Sequence, residues 1–229
     1  QRYVEKPALV HERKPSLRVF LLVTSVAPVR VYLFRGGRTV FSVEPYESGN
    51  YEADSLPMHI AHTNVFGKRV QAAFEETKRV LNHANAEWPY ARLAGYLRDK
   101  GMDTDALWRK LRRLAQETVD LLERNGIFAA QAERGNSFAY VPKIVSLDVL
   151  IDHEGRPWLT EIETGPTING LFDGGLEQDE TFNTLVDLIT TPMPDAAKQN
   201  LRGAELNAHQ ADAEWHTRGQ FELLRPLSG

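Results

Sequence analysis

The first part of the chain is dominated by short apolar runs that are rich in β-branched and aromatic residues. Such runs favour strands, because these side chains pack well on a pleated surface. Gly36 and Gly37 stand between two of the runs, and a Gly-Gly pair is typical of a two-residue hairpin turn. We therefore predict an antiparallel meander, preceded by a strand-like segment over residues 1–5. Its three strands cover residues 17–25, 29–34 and 39–43.

Further along, the apolar spacing changes to the period of an amphipathic helix. Val70, Phe74 and Leu81 form one stripe, and a longer stripe follows after residue 103. A third, shorter amphipathic pattern covers residues 180–189. The longer stripe consists of Leu107, Leu111, Leu114, Val119 and Leu122. Together with the meander, these patterns predict an α+β fold in which helices flank an antiparallel sheet.

The longer helix has clear start and stop signals. Asp103 or Thr104 is a suitable N-cap, since a short oxygen-bearing side chain can accept from the free amides of the first turn. Asn125 and Gly126 are typical of a C-terminus. The weakly patterned residues 127–141 are predicted to be a connection.

A second predicted hairpin joins residues 147–152 to residues 157–163 and carries three carboxylates. If the pair Asp152 and Pro157 closes the loop, Asp148 lies opposite Glu161, and Glu163 lies two residues further on the same face. Like charges in such positions are destabilising, so a cation is expected, and oxygen-only ligands suit Mg²⁺. The alternative is a solvated acidic face. The three acids are Asp148, Glu161 and Glu163.

Composition excludes several classes of protein. The chain has 229 residues and no cysteine, which excludes disulfides and thiolate zinc sites. His59 and His62 have a zinc-like spacing, but no third ligand is near them in the sequence, and we predict no zinc site. No apolar run is long enough to cross a membrane. We expect an intracellular protein that does not bind a membrane. The net charge of −4 argues against nucleic-acid binding.

The charges are unevenly distributed along the chain. Residues 1–43 carry eight basic side chains and two acids, whereas residues 144–187 carry ten acids and one arginine. The two segments could form a solvated surface pair, or they could flank a metal-bridged polyphosphate. Beyond Pro192 and Pro194 aliphatic residues become scarce, and residues 195–216 are interpreted as a peripheral helix or docking arm.

Several separated motifs resemble the tubulin-tyrosine-ligase-like family, in the family's order, over roughly residues 1–190. They are QRYVEKP from Gln1, RKPSLRVFLLVTS from Arg13, VYLFRGG from Val31, EPY from Glu44, HTN from His62, LDVLID from Leu147 and PWLTEIE from Pro157. The resemblance implies the C-terminal part of an ATP-grasp fold over residues 1–192, with residues 193–229 as a peripheral tail. It also implies ATP and Mg²⁺ as cofactors.

The resemblance further implies an activity that joins a free amino acid to a carboxylate of a protein or peptide, such as a tubulin tail, through an acyl-phosphate. Lys14 and Arg18 would be the catalytic residues and would contact phosphates. The other implied positions are Gln1, Arg2, Tyr3 and Val4 at the adenine, Thr63 and Asn64 at the nucleotide and substrate, and Asp148 and Glu161 at Mg²⁺, joined there by Glu163.

This chain departs from the family's pattern at three positions. Ser16 stands where the family has Asp, Val40 where it has Arg, with Arg38 as a stand-in, and Glu163 where it has Asn. The family's first subdomains, which close over the phosphates, would precede Gln1. The chain is therefore expected to be a fragment of a ligase or a catalytically degenerate subunit that docks through residues 195–229. A nucleotide-binding regulator is a third alternative.

Overall fold

The computed structural model describes residues 3–26, 28–52, 55–60, 70–134, 143–166, 212, 216, 218–219 and 221–224. Within these residues the chain is α+β, with an antiparallel sheet flanked by helices, as predicted. None of the described helices is long and apolar enough to span a bilayer. The elements are β1 Pro15–Val26, β2 Val29–Phe34, β3 Arg38–Phe41, α1 Leu56–His59, α2 Gln71–Leu81, β4 Glu87–Pro89, α3 Tyr90–Asp99, α4 Thr104–Arg124, α5 Ile127–Arg134, β5 Lys143–Ile151, β6 Pro157–Glu163 and β7 Phe221–Leu223.

The chain forms two compact units. The first consists of Gln1–Val19, Gly36–Leu114 and Leu147–Glu163, and the second of Phe20–Arg35, Ala115–Ser146 and Thr164–Gly229. Strands β1 and β5 and helix α4 each contribute residues to both units. Every candidate site residue that the structure describes belongs to the first unit.

In the first unit, β3 lies between β1 and β4, and both pairings are antiparallel. Thr39 pairs with Leu17 on one side and with Trp88 on the other. Phe41 packs edge-on against Trp88, with 5.3 Å between ring centroids. The indole of Trp88 also donates to the carbonyl of Leu81, at the end of α2, at 2.9 Å. This buried contact fixes α2 against the strands that carry the basic residues.

The predicted hairpin at Gly36 and Gly37 is wrong. Both β2 and β3 pair with β1, through Leu21 with Leu33 and through Arg18 with Arg38. The hairpin that does form is that of β1 and β2, which ends in the pair of Val26 with Val29. The Gly-Gly pair serves a different purpose, because a Cβ on Gly37 would lie only 2.6 Å from a backbone oxygen of β1. A glycine permits this close approach.

In the second unit, a core cluster forms between β1, β2 and β7. Phe34 pairs with Phe221 across the strands, and their rings lie 5.3 Å apart. The cluster consists of Phe20, Leu22, Tyr32, Phe34 and Phe221. Residues 221–224 are thus part of the sheet and its core, unlike the peripheral arm expected for the tail. The rest of the tail lies outside the described residues, apart from 212, 216, 218 and 219.

The prediction of α4 is confirmed at both ends. Asp103 is the N-cap, since its Oδ1 accepts from the amide of Ala106 at 2.8 Å. Gly126 ends the helix in the left-handed conformation, with φ of 72°. The connection predicted after it is wrong for residues 127–134, which form α5. The apolar pattern of α5 in the sequence is weak because its apolar residues do not all face the core: Phe128 is buried, whereas Ile127 is 48% exposed. The helix predicted over 180–189 lies outside the described residues.

The strand-like segment predicted over residues 1–5 is not a strand in its described part, from Tyr3 onward. The chain instead runs past the acidic hairpin and touches it through an isolated bridge between Pro7 and Asp152. The amide of Ala8 donates to the carbonyl of Ile151 at 2.8 Å. Pro7 has no N–H to donate, so a regular ladder cannot continue through it.

Candidate functional site

The acidic hairpin is present, with β5 paired to β6. Its register differs from the prediction, because the amide of Asp152 donates to the carbonyl of Arg156 and not to that of Pro157, at 3.0 Å. Gly155, with φ of 67°, supplies the left-handed residue of a loop that is one residue shorter than expected. Counting along both strands from this pair places Thr160 opposite Asp148.

Two observations agree with this register. The hydroxyl of Thr160 donates to the backbone carbonyl of Asp148 at 2.9 Å. Glu161, which was predicted to lie opposite Asp148, is exposed. A register shift of one residue moves a side chain to the other face of a strand. The loop closure thus differs by one residue from the prediction, and the charges of Glu161 and Glu163 both still act on Arg18.

A partly buried ion-pair network joins β1 to the hairpin. The Arg18 guanidinium donates through Nε to Asp148 Oδ1 at 2.7 Å and through Nη2 to Asp148 Oδ2 at 2.8 Å. This is the bidentate geometry in which arginine binds a carboxylate most strongly. The Arg18 and Asp148 side chains are each 12% exposed. The hydrogen bonds that Arg18 donates to Asp148, together with the charges of Asp148, Glu163 and Glu161, outweigh burial and raise the pKa of Arg18.

Glu163 completes the network as an ion pair without a hydrogen bond. Its Oε2 lies 2.8 Å from Arg18 Nη2. The same oxygen is buried and accepts no hydrogen bond within the described part of the chain. A buried carboxylate oxygen in this condition is costly unless a cation compensates it. Arg18 is one such cation, and it already serves Asp148.

The acids of the hairpin have the chemistry of a Mg²⁺ site, although the described residues contain no cluster of three or more metal-ligating side chains. Asp148 and Glu163 offer only oxygen atoms, as Mg²⁺ prefers, and Glu163 Oε2 has no hydrogen bond to lose. The donor set therefore fits the ion. Whether Asp148, Glu161 and Glu163 bind it stays a prediction.

Lys14 lies just before β1, and its side chain is buried. Its Nζ donates to the Tyr3 hydroxyl at 3.2 Å and lies 4.7 Å from the centre of that ring. Burial lowers the pKa of Lys14 to about 8. No carboxylate among the described residues forms an ion pair with this ammonium at 4.0 Å or less. Lys14 thus differs from Arg18, whose charge is compensated within the chain.

Strand alternation relates these two cations. Residues 14, 16 and 18 point to one side of the β1 backbone, while Leu17 points to the other and is fully buried. Ser16 pairs with Val40 of β3. Four residues of strand separate Lys14 from Arg18 by roughly 13 Å. The carbonyl of Lys14 accepts from the amide of Ser42, one residue beyond the ladder of β1 and β3, so Lys14 extends β1 and lies on the same side of the chain as Arg18.

Of the remaining predicted positions, Tyr3, Val4 and Arg38 are described by the structure and four others are not. Val4 is half-buried, and Tyr3 is 38% exposed and contacts Lys14. Arg38 pairs with Glu87 of β4, with 2.7 Å between Nε and Oε2. This bidentate pair occupies the guanidinium that was expected to stand in for the missing arginine. Four predicted residues lie outside the described part of the chain, namely Gln1, Arg2, Thr63 and Asn64.

Sequence reasoning missed the residues that surround Tyr3. His59 Nδ1 lies 2.7 Å from the Tyr3 hydroxyl, and Tyr51 stacks on the His59 ring at 5.6 Å. Tyr46 packs edge-on against the same ring, also at 5.6 Å. The spacing of His59 in the sequence suggested only a metal site, and nothing local linked it to a tyrosine 56 residues away.

A basic strand beside a carboxylate hairpin is the arrangement that the sequence motifs imply, and a family model decides the assignment. The model of the tubulin-tyrosine ligase family matches residues 1–182. The chain belongs to this family. The matched range contains β1 to β6 and all the residues of the Arg18 network, so the family assignment covers the whole candidate site.

Curated relatives of the family are similar to the same region. The probable tubulin polyglutamylase TTLL2 of Homo sapiens is 30% identical over 73% of this chain and 26% of its own length. The tubulin monoglutamylase TTLL4 of Homo sapiens is 26% identical over 74% of this chain and 14% of its own length. The tubulin polyglutamylase TTLL6 of Mus musculus is 26% identical over 82% of this chain and 22% of its own length. The chain thus spans about a quarter or less of the length of these relatives.

Proposed function

We propose that this chain forms part of an ATP-dependent ligase that adds an amino acid to a carboxylate of a protein acceptor. The observation that carries the proposal is the proximity of two cations to the hairpin acids, namely the buried Lys14 just before β1 and the largely buried Arg18 of β1. Arg18 is compensated by Asp148 and Glu163, whereas Lys14 has no carboxylate partner among the described residues. A buried ammonium in this condition favours an anionic ligand.

In this proposal each side chain has a defined role. Lys14 contacts phosphate oxygens as a point charge, and Arg18 orients the hairpin acids and contacts phosphate through its planar guanidinium. Asp148 and Glu163 hold Mg²⁺, with Glu161 as a further ligand on the exposed side. When bound, Mg²⁺ neutralises charge on the phosphate oxygens. The backbone and side chains of residues 1–4, with Thr63 and Asn64, border the nucleotide.

The relatives guide the choice of substrates. Those reported above are named as tubulin glutamylases. We therefore propose glutamate as the first amino acid to test and a peptide with an acidic tubulin-like tail as the acceptor. The chain itself offers basic residues on β1 that could attract such acidic partners at long range.

The test is incorporation of labelled glutamate into tubulin-tail peptides by the full-length protein, with release of ADP in the presence of Mg²⁺. Asp148→Asn is expected to reduce turnover by about 100-fold or more, because it removes a charge from the site. Glu154→Gln is the matched control, since Glu154 is on the same hairpin and pairs only with the exposed Arg156 among the described residues. No ADP release by the wild-type protein with any amino acid and acceptor would overturn the proposal.

One observation favours a second candidate, a catalytically degenerate subunit with a structural role. The Asp148 carboxylate is satisfied without any ligand, since both of its oxygens accept from the Arg18 guanidinium. A network of this kind can stabilise a scaffold by itself. A protein that binds no nucleotide but assembles stably with a larger complex, and whose Asp148→Asn variant loses folding stability only, would favour this candidate.

A further inference from the structure

A chain of hydrogen bonds connects Lys14 to the backbone of the segment before α1. Lys14 Nζ lies 3.2 Å from Tyr3 Oη, and Tyr3 Oη lies 2.7 Å from His59 Nδ1. The other ring nitrogen, His59 Nε2, lies 2.5 Å from the carbonyl oxygen of Asn50. The four groups come from four separate positions in the sequence. Their alignment therefore depends on the folded unit rather than on local structure.

The donors and acceptors of this chain can be assigned by elimination. A backbone carbonyl can only accept, so His59 Nε2 carries a hydrogen and donates to Asn50. In the neutral imidazole, Nδ1 then has a free lone pair and accepts from the hydroxyl of Tyr3. The hydroxyl hydrogen is thus directed away from Lys14. The oxygen lone pairs of Tyr3 face the ammonium, which can only donate.

Aromatic side chains hold the imidazole in this orientation. Tyr51 stacks on His59 with an angle of 24° between the rings. Tyr46 and Tyr3 pack edge-on against it, at 84° each. The hydroxyl of Tyr46 is held in turn by the carbonyl of Glu5, at 2.9 Å. The titratable side chains that face this chain of hydrogen bonds are therefore three tyrosines, with no acid in an ion pair with Lys14 among the described residues.

We propose that Tyr3 and His59 are positioning residues that aim the Lys14 ammonium at an anionic ligand. An ammonium has three donors, and the Tyr3 hydroxyl is the acceptor for one of them among the described residues. The other two donors have no acceptor within the described part of the chain and are available to oxygen atoms of a ligand. The fixed hydroxyl limits rotation of the long lysine side chain, which reduces the entropy lost on binding. The inference rests on the proposed function, in which that ligand is the phosphate of ATP.

The experiment uses two readouts on the full-length protein. Competitive acetylation of Lys14 as a function of pH, followed by peptide mass spectrometry, gives its titration midpoint. Calorimetry gives the dissociation constant for MgATP. Tyr3→Phe removes the hydroxyl and keeps the ring under the ammonium. We expect it to lower the Lys14 midpoint by about half a pH unit, because the charged form loses an acceptor. We also expect weaker MgATP binding, by about three- to tenfold.

Two further variants separate positioning from simple packing. His59→Asn keeps an oxygen acceptor near the position of Nδ1, whereas His59→Phe keeps a ring and has no acceptor. The first is expected to retain most of the wild-type affinity and the second to resemble Tyr3→Phe. Tyr51→Phe is the matched control, since it removes a tyrosine hydroxyl that is not part of the chain of hydrogen bonds. It should leave both readouts unchanged.

The outcomes distinguish this inference from the proposed function. If the wild-type protein does not bind MgATP, the proposed function fails, while the Lys14 midpoint still tests the positioning pair. If Tyr3→Phe and His59→Phe leave the midpoint and the affinity equal to those of Tyr51→Phe, the positioning role is wrong. A lower melting temperature with an unchanged midpoint would likewise assign Tyr3 and His59 to packing alone.

Discussion

The carbonyl oxygen of Arg18 lies 2.6 Å from the point that a Cβ atom on Gly37 would occupy. Real Cβ atoms do not approach a backbone oxygen this closely, so only glycine fits beside β1 at this point. The neighbouring residue, Arg38, is the partner of Arg18 in the ladder between β1 and β3. The absence of a side chain at Gly37 therefore determines how closely β3 approaches the residue that binds Asp148.

Gly37→Ala is expected to destabilise the fold by about 1–3 kcal/mol, because the backbone of β1 or β3 must move to accommodate the new atom. The displaced Arg18 should also weaken any ligand binding at the hairpin acids. Urea denaturation measures the first effect and calorimetry the second. Gly95→Ala is the control, since Gly95 lies in α3 with no atom within 4 Å of its added Cβ. It should stabilise the protein by about 0.5–1 kcal/mol, and equal losses in both variants would contradict the argument.

Asp148→Asn is expected to cost about 3 kcal/mol of folding stability. The variant leaves the largely buried guanidinium of Arg18 with Glu163 as its only acidic partner in the network. Glu154→Gln, which breaks an exposed pair with Arg156, should change stability by less than about 0.5 kcal/mol. Chemical denaturation of the three proteins in parallel measures both values. Similar stabilities for all three would mean that the network contributes little.

Local signals made α4 predictable from the sequence. The N-cap Asp103 and the left-handed Gly126 act on their immediate neighbours, so the residues that define the helix are close together in the chain. The stripe of Leu107 and Leu111 is buried as its spacing predicts. Sequence motifs likewise predict the hairpin that carries Asp148, and they point to Lys14 and Arg18 as candidate site residues.

Contacts between distant residues account for what the sequence did not reveal. The register of the acidic hairpin depends on the conformation of Gly155, which a spacing argument cannot supply. Gly37 looked like a turn residue because its neighbour in space, β1, is remote in sequence. Phe221 joins β2 from the far end of the chain. In each case a tertiary contact decided between local alternatives.

The carboxylate of Asp152 is predicted to make stability depend on pH in the acid range. Burial by itself raises its pKa, but hydrogen bonds from Trp158 Nε1 and from the amides of Arg156 and Glu154 lower the pKa below its ordinary value. The stabilisation is present above the pKa of the unfolded chain, about 3.9. It is lost as the pH falls from there through the lower folded-state value.

Asp152→Asn therefore tests the loop of the hairpin. Its amide nitrogen would face Trp158 Nε1, donor against donor, and we expect a loss of about 1–2 kcal/mol at pH 7. The difference from the wild-type protein should shrink below about pH 4, as the wild-type carboxylate becomes protonated. Thermal unfolding between pH 2 and pH 7 measures this slope. A difference that stays constant over the whole range would show that the charge of Asp152 is not involved.

Lys14 should produce a second pH dependence of the same sign, in the alkaline range. Burial lowers the pKa of Lys14 to about 8, whereas a lysine of the unfolded chain titrates near about 10.4. Between these values the unfolded state binds more protons, so the stability contributed by this group rises with pH. Below pH 8 the full cost of a buried charge is present. We therefore expect Lys14→Met to be more stable than the wild-type protein by about 1–3 kcal/mol at pH 7.

That advantage should diminish steadily between pH 8 and pH 10, where wild-type Lys14 becomes neutral in the folded state. Urea denaturation of both proteins at a series of pH values measures it. Lys143→Met is the matched control, because Lys143 is exposed at the start of β5 and its substitution should give no such trend. If Lys14→Met also abolishes MgATP binding while Lys143→Met does not, the charge that destabilises the fold is the one that the ligand requires. A stability difference that did not vary with pH would mean that Lys14 is already well compensated at neutral pH.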